Sequence, residues 1–412
     1  MMSPRFRMLP PSAAPLESRD IMAGLRGLRA GGETLETLRQ TLRARFKVRH
    51  VFFSTSGRAG LSVGLQALRA LSPERDEVLL PAFTSFSVPS AVVNAGLKIS
   101  LYDLHPDTLA PDLSSLEKAL NSRTLCVVAC HLFGYPLDLQ PLRDMCRQYG
   151  AFLFDDAAQA MGARMSGKLA GTMGDVGLFS LSRGKNMTAV DGGIVFTDRD
   201  DVAESLRGMI LPKGSDGAAH TMKNLARALA LTFMLHPRAY WLPASLPFLN
   251  IGASVFDPEF DTDELDRLRA GLAGSVLERL DALNAGRRGV SISLLAGLES
   301  AHGVRTVRPL PTAEPVFLRL PVLPASGEWA RGEIFEIPKL GVVRSYPLAL
   351  HQIPGVAPHL ATHGRYPVSE MLARNLLTLP THAFVQEADV NAICDVFRKL
   401  SKNPTVLQKE AA

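Results

Sequence analysis

The sequence is poor in the residues that would mark a small cross-linked, metal-binding or nucleic-acid-binding protein. Four cysteines, Cys126, Cys130, Cys146 and Cys394, are spread over 412 residues. They have no metal-type spacing, so no metal site is expected. Cys126 and Cys130 fall in or beside the apolar run LCVVAC and read as small core residues. So little cysteine suits a reducing compartment, and a cytoplasmic location is expected. Aromatic residues make up only 7% of the chain, and the net charge is a modest +5. The arginines are scattered, with no dense basic run interleaved with aromatics, so nucleic acid is not an expected partner. No run of about 18 apolar residues occurs, which argues against a spanning helix. The first residues, MMSPRFRMLPPSAAPLESRD, lack the apolar core of a signal peptide. No repeat of about 20–50 residues recurs.

What is present is a rhythm. HVFFST is followed by GRAGLSVGLQALRAL, EVLLPA by SVPSAVVNAG, KISLYDL by LSSLEKAL, and TLCVVACH by LQPLRDMCRQYG; then comes AFLFDD. Short β-branched or apolar runs alternating with helical patterns predict an α/β fold with a mostly parallel sheet covered on both faces. Such sheets place their chemistry at the carboxyl ends of the strands. Residues 1–34 are Pro- and Arg-rich and read as an N-terminal arm. Residues 35–260 form the large domain, with an atypical Pro-broken apolar segment at 225–252. Residues 261–412 comprise a linking helix and a smaller C-terminal α/β domain. The linking helix carries Leu265, Leu268, Leu272, Val276, Leu280 and Leu283, with a capping-box-like start at Asp261 and Glu264.

Three strand ends carry candidate chemistry. Ser56, Gly57 and Arg58 open a helix after the first strand. Glycine admits close approach, and the helix start offers N–H groups and partial positive charge, which suits a phosphate. Asp155 and Asp156 end a buried strand, and only one of two neighbouring strand residues can face a given site. Lys185 sits in the loop FSLSRGKNMTAVDGG, with Ser180 before it. A lone loop lysine is ordinarily a solvated surface residue. Together, a lysine for an aldehyde, an anion for a pyridinium nitrogen and a phosphate turn are the three needs of pyridoxal phosphate.

At these residues the chain resembles the DegT-like, pyridoxal-phosphate-dependent nucleotide-sugar aminotransferases of the aspartate-aminotransferase fold (fold type I). The resemblance covers roughly Phe46 to Phe397. Its most specific block is DDAAQAMGARMSGKLAGTMGDVGLFSLSRGKNMTAVDGGIVFTDRD. By this resemblance Lys185 matches the Schiff-base lysine and Asp156 the pyridinium partner. Gln159 matches the glutamine beside the cofactor, Ser180 a phosphate-binding serine, and Gly57 the glycine of the phosphate turn. Three departures stand out. Arg58 replaces a common threonine, and its guanidinium offers a bidentate phosphate contact instead. Ser85 replaces the common ring-stacking aromatic, with Phe86 as the substitute. The family's Gly-x-Asn-x-Arg segment, which reaches the partner subunit's cofactor, is not evident, and Asn250 is the candidate for its asparagine. His131, Tyr346 and His351 are candidates for the substrate side.

The resemblance implies an aminotransferase moving an amino group, from glutamate, through pyridoxal phosphate to a nucleotide-linked keto-sugar. Products of such enzymes feed polysaccharide, lipopolysaccharide or glycosylated-metabolite synthesis. A homodimer is implied. Lys185 argues against the dehydrating branch of the family, which has histidine there. The alternative is a pyridoxal-phosphate aminotransferase acting on a non-sugar or lipid-linked ketone. Segment 225–252, where Arg238, Tyr240 and Trp241 cluster with apolar residues, is read as packing at a subunit interface or over the site, as a membrane-surface contact, or as a lid.

Overall fold

The apolar runs of the first 200 residues become strands, and the helical patterns between them become the helices that cover them. The computed structural model describes residues 7–210, 217–246, 255–325 and 336–402. The strands are β1 (His50–Ser54), β2 (Glu77–Pro81), β3 (Lys98–Tyr102), β4 (Thr124–Cys130), β5 (Phe152–Asp156), β6 (Arg164–Met165), β7 (Lys168–Leu169), β8 (Val176–Ser180), β9 (Gly193–Thr197), β10 (Val304–Thr306), β11 (Ala313–Glu314), β12 (Arg319–Pro324) and β13 (Leu377–Pro380).

The central sheet has the order β1-β9-β8-β5-β4-β2-β3. Strands β8, β5, β4, β2 and β3 pair in parallel. Strand β9 runs antiparallel to both neighbours, β1 and β8. The chain therefore reverses between β8 and β9, and the reversing loop is the one that carries Lys185. Every residue of β2, β4, β8 and β9 is buried, as expected of a sheet covered on both faces.

Helix Gly57–Leu71 fixes the geometry of the site. Ser56 caps it, its Oγ accepting from the Ala59 N–H at 3.2 Å. Its sheet-facing side is made of glycines. A Cβ on Gly64 would lie 2.6 Å from Phe154 of β5, and one on Gly60 2.9 Å from Leu178 of β8. The missing side chains let the helix lie low on the sheet, so its N-terminus meets the end of β8.

Two features depart from the sequence-based expectation. Residues 18–30 of the predicted arm form a helix, Ser18–Ala30, packed on helix Arg267–Leu277. The contact is close: a Cβ on Gly271 would lie 2.6 Å from the Ala23 carbonyl oxygen. The predicted linking helix is two helices, Arg267–Leu277 and Leu280–Leu298, broken at Glu278 and Arg279. Its cap is Asp266, whose side chain accepts from the Arg269 N–H at 2.9 Å, rather than the predicted pair Asp261 and Glu264. The apolar spacing still holds, since Leu268, Leu272, Val276 and Leu280 are all buried.

The C-terminal part has a three-stranded antiparallel sheet, β10-β12-β13, with helices Leu280–Leu298 and Glu387–Lys402 packed together beside it. One cluster of buried side chains runs from the central sheet into this sheet and on to Ile393 and Phe397. Segment 225–252 begins within helix Ala218–Met234 and continues into a short helix, Trp241–Ala244. Its residues from 247 on lie outside the described residues, and with them the candidate Asn250.

Candidate active site

The ends of β1 and β8 bring the two phosphate candidates together. A Cβ on Gly57 would lie 2.8 Å from both Cβ and Oγ of Ser180. Only glycine permits that approach. The Gly57 and Arg58 N–H groups belong to the first helical turn, where no intrahelical partner exists. Ser180 Oγ lies 2.9 Å from Ser182 Oγ, which adds a second hydroxyl to the same turn. Donors, a hydroxyl pair and a helix N-terminus thus converge on one point, the arrangement an anion requires.

The two aspartates at the end of β5 face opposite sides, as strand alternation requires. Asp155 is wholly buried and belongs to the fold. Its Oδ2 accepts from the Gly171 and Met173 N–H groups at 2.9 and 2.8 Å, and its Oδ1 lies 2.6 Å from His131 Nε2. His131 Nδ1 accepts from the Leu137 N–H at 2.9 Å, so the ring proton sits on Nε2, facing Asp155. Both ring nitrogens of His131, a candidate for the substrate side, are thus engaged within the fold. Asp156 faces the other way. The Ala158 N–H donates to its Oδ1 at 3.0 Å, and the Cys130 thiol lies 3.5 Å from its Oδ2. Burial pushes the Asp156 carboxyl up, offset in part by that N–H and by Lys185.

Burial lowers the Lys185 amine from its ordinary value, Asp156 opposes this, and the Arg319 guanidinium adds to it. The loop is held from behind. Arg287, fully buried, donates from Nη2 to the Lys185 carbonyl at 3.2 Å and to the Ala13 carbonyl at 2.8 Å. Ser12 Oγ donates to the Gly184 carbonyl at 2.8 Å. Burial without a carboxylate partner among the described residues pushes the Arg287 guanidinium down to about 10.

Gln159 is fixed at both ends. Its Oε1 accepts from the Phe133 N–H at 3.0 Å, and its Nε2 donates to Tyr346 Oη at 2.7 Å. Tyr346 sits among Phe83, Phe86 and Phe133, with ring centres 5.4, 6.5 and 5.8 Å away. Burial pushes its phenol up to about 12. Phe86, the expected stacking ring, is therefore packed against Tyr346. Ser85 Oγ lies 3.4 Å from Ser87 Oγ and from the Ser87 N–H, at the start of the next helix.

Two further expectations are corrected. The Arg58 guanidinium turns away from the phosphate turn. It donates to Asp257 Oδ2 at 2.9 Å and stacks over the Phe260 ring at 4.6 Å, so the residue can offer the turn its N–H rather than its side chain. His351 Nε2 lies 3.1 Å from Glu370 Oε1, and its ring packs against Tyr366. That leaves it in the support of the C-terminal part. Sequence reading missed Arg287 and Arg319. Arg319, at the start of β12, donates to Ser345 Oγ at 2.9 Å and influences both Lys185 and Tyr346. Neither arginine lies in a local pattern that marks it.

The residues present fit pyridoxal phosphate. The glycine cradle at Gly57 leaves the room a Cβ would fill, and Asp156 is a buried carboxylate in need of a cation. Lys185 is an amine whose proton is weakened by burial. Among the described residues no group of His, Cys, Asp and Glu could hold a metal ion.

Comparisons with known proteins bear on the chain as a whole. The model of the DegT/DnrJ/EryC1/StrS aminotransferase family matches residues 18–398. A dTDP-3-amino-3,4,6-trideoxy-alpha-D-glucose transaminase of Streptomyces venezuelae is 26% identical over 89% of this chain and 87% of its own length. A GDP-perosamine synthase of Caulobacter vibrioides is 27% identical over 84% of each chain. Among solved structures, S. venezuelae DesV in complex with a ketimine intermediate superposes with a TM-score of 0.74 at 26% identity, covering 94% of this chain and 95% of that one. Helicobacter pylori PseC, at 16% identity, shares the fold with a TM-score of 0.78 over 96% of this chain and all of its own. With the family model spanning both the sheet that carries Lys185 and the C-terminal part that carries Tyr346, the chain belongs to the DegT/DnrJ/EryC1/StrS aminotransferase family and is an aminotransferase.

Proposed function

We propose that the enzyme uses pyridoxal phosphate, anchored at Lys185, to move an amino group from glutamate to the ketone of a nucleotide-linked sugar. The observation that carries this reading is the close junction of Gly57 with Ser180, where an added Cβ would lie 2.8 Å from the serine, beside the mutually influencing Asp156 and Lys185. When bound, the cofactor supplies an aldehyde for an amine and a cationic ring that accepts the electron pair left by a departing proton.

The chain's own residues do the rest. The Gly57 and Arg58 N–H groups and the Ser180 hydroxyl bind the phosphate. Asp156 supplies the anion for the ring nitrogen, and the Ala158 N–H and Cys130 thiol fix its two oxygens. Lys185 Nζ is the covalent anchor. It also holds and moves the proton of the substrate's amine-bearing carbon. Its lowered pKa leaves more free base at neutral pH than a surface lysine has. Gln159, locked between the Phe133 N–H and Tyr346, orients the ring.

The names of the relatives, a dTDP-sugar transaminase and a GDP-perosamine synthase, support a sugar nucleotide as acceptor. A cytoplasmic homodimer acting in polysaccharide or glycosylated-metabolite synthesis is the setting that goes with this reading. A lipid-linked ketone is the second reading, favoured by the exposed apolar side chains of helix Ala218–Met234. The purified enzyme, loaded with pyridoxal phosphate and given glutamate, separates the two on a panel of keto-sugar nucleotides. Formation of an amino-sugar nucleotide with 2-oxoglutarate is expected. Conversion of glutamate with no sugar nucleotide aminated would contradict the sugar assignment.

A further inference from the structure

Helix Ala218–Met234 carries apolar side chains on two faces. Leu225, Ala228 and Leu231 pack inward on the core, together with two hydrogen-bonding groups. Asn224 is buried and donates to Asp266 Oδ2 at 2.8 Å, and His220 Nε2 lies 3.3 Å from the same oxygen. A second set of large apolar side chains faces outward. Met222 is 70% exposed, Leu229 43% and Phe233 69%. With exposed Ala226 they fall at i, i+4, i+7 and i+11, one stripe of the helix. The short helix Trp241–Ala244 adds Trp241 and Leu242, both exposed. Single exposed apolar residues need no explanation, but a row on one surface element marks an interaction site.

The charge around the row points to the partner. Residues 217–246 contain no aspartate or glutamate, while Lys223, Arg227 and Arg238 are all exposed. The neighbouring helix Ser18–Ala30 carries exposed Met22, Arg26 and Arg29, again at i, i+4 and i+7. A second copy meeting this face with its own would set like charges against each other. An anionic bilayer surface answers both halves: headgroups for the cations, and the acyl boundary for Phe233, Leu229 and Trp241. No helix among the described residues is long and apolar enough to cross a membrane, so the fit is to lying on a surface.

We propose that this face docks the enzyme reversibly on an anionic lipid bilayer. The face is tied to the catalytic body. The Pro237 carbonyl accepts from the Met8 N–H at 2.9 Å, and Tyr240 is buried where Arg319 and Arg183 both act on its phenol. Docking therefore holds the site close to the bilayer.

The test is sedimentation of the full-length, cofactor-loaded protein with vesicles of phosphatidylglycerol and phosphatidylcholine, against vesicles of phosphatidylcholine alone. Binding to the anionic vesicles, release at about 0.5 M salt and no binding to the neutral ones are expected. Replacing Lys223 or Arg227 by Gln should weaken binding about fivefold each. A double variant, Leu229→Glu with Phe233→Glu, should abolish binding while keeping the cofactor absorbance and the transfer rate in solution. Absence of binding to anionic vesicles, equal binding to neutral ones, or undiminished binding by the double variant would overturn the proposal. So would a double variant that light scattering shows falling from dimer to monomer, because the face would then be a subunit contact.

Discussion

Asp155 and Asp156 are neighbours on one strand, and the alternation of its side chains gives them opposite tasks. Asp155 ties together backbone N–H groups and His131, whereas Asp156 is left with one N–H, a thiol and the field of Lys185. Burial raises the folded pKa of Asp156, so its contribution to stability is present below the unfolded pKa and is lost as pH rises through the folded one. At neutral pH it therefore weakens the cofactor-free fold. Asp156→Asn should stabilise that form by about 1 kcal/mol while lowering amino transfer at least about 100-fold. Denaturant titration and a transfer assay read the two effects. Equal stability or an unimpaired rate would remove Asp156 from its role. Gly57→Ala should weaken pyridoxal phosphate binding because its Cβ would strike Ser180. Ser180→Ala should not relieve that clash, since Ser180 Cβ is part of it, whereas Ser180→Gly should. Fluorescence titration of the cofactor with the single and double variants checks this. Lys185, Asp156, Gln159 and Ser180 stand out as candidates because they lie in one contiguous block. The bond that holds His131 was not legible, because its partner, Asp155, is met only across strands β4 and β5.

Among the elements, helix Gly57–Leu71 matters most, since its height above the sheet sets the distance from its N-terminus to Ser180. Gly64→Ala would place a Cβ 2.6 Å from Phe154. Overpacking of this kind costs about 1–3 kcal/mol. The helix should lift, and cofactor affinity should fall although Gly64 lies two turns from the phosphate turn. A variant that loses stability but keeps full affinity would show that the helix does not set the site. The strand–helix rhythm made this element and its sheet readable. The two-helix break at Glu278 and Arg279 was hidden because the apolar spacing continues across it, and the cap at Asp266 lies inside the apparent repeat. Helix Ser18–Ala30 was missed because its contact with Arg267–Leu277 depends on Gly24, Gly27 and Gly271 meeting across more than 200 residues of chain.

Across the whole molecule, the N-terminal segment and the C-terminal part meet behind the Lys185 loop. His382 Nε2 lies 2.7 Å from the Pro10 carbonyl oxygen, and Arg287 joins Ala13 to Lys185. Burial holds the His382 ring down at about 3, against 6.5 when free. The unfolded chain thus binds a proton that the folded chain refuses. This group's contribution is whole above pH 6.5 and is lost as pH falls toward 3. Stability should drop by about 1.4 kcal/mol per pH unit from this residue between roughly pH 4 and 6. His382→Gln should flatten the slope in denaturant titrations over that range, and an unchanged slope would assign acid sensitivity elsewhere. No local pattern announces such a junction, because its members are separated by hundreds of residues. Whether it serves catalysis depends on the lysine in front of it. Borohydride reduction of the intact enzyme loaded with pyridoxal phosphate, followed by peptide mass mapping, tests that lysine most directly. One pyridoxyl phosphate group on the peptide containing Lys185, absent from Lys185→Ala, is expected. Labelling of a different lysine, or none, would contradict it.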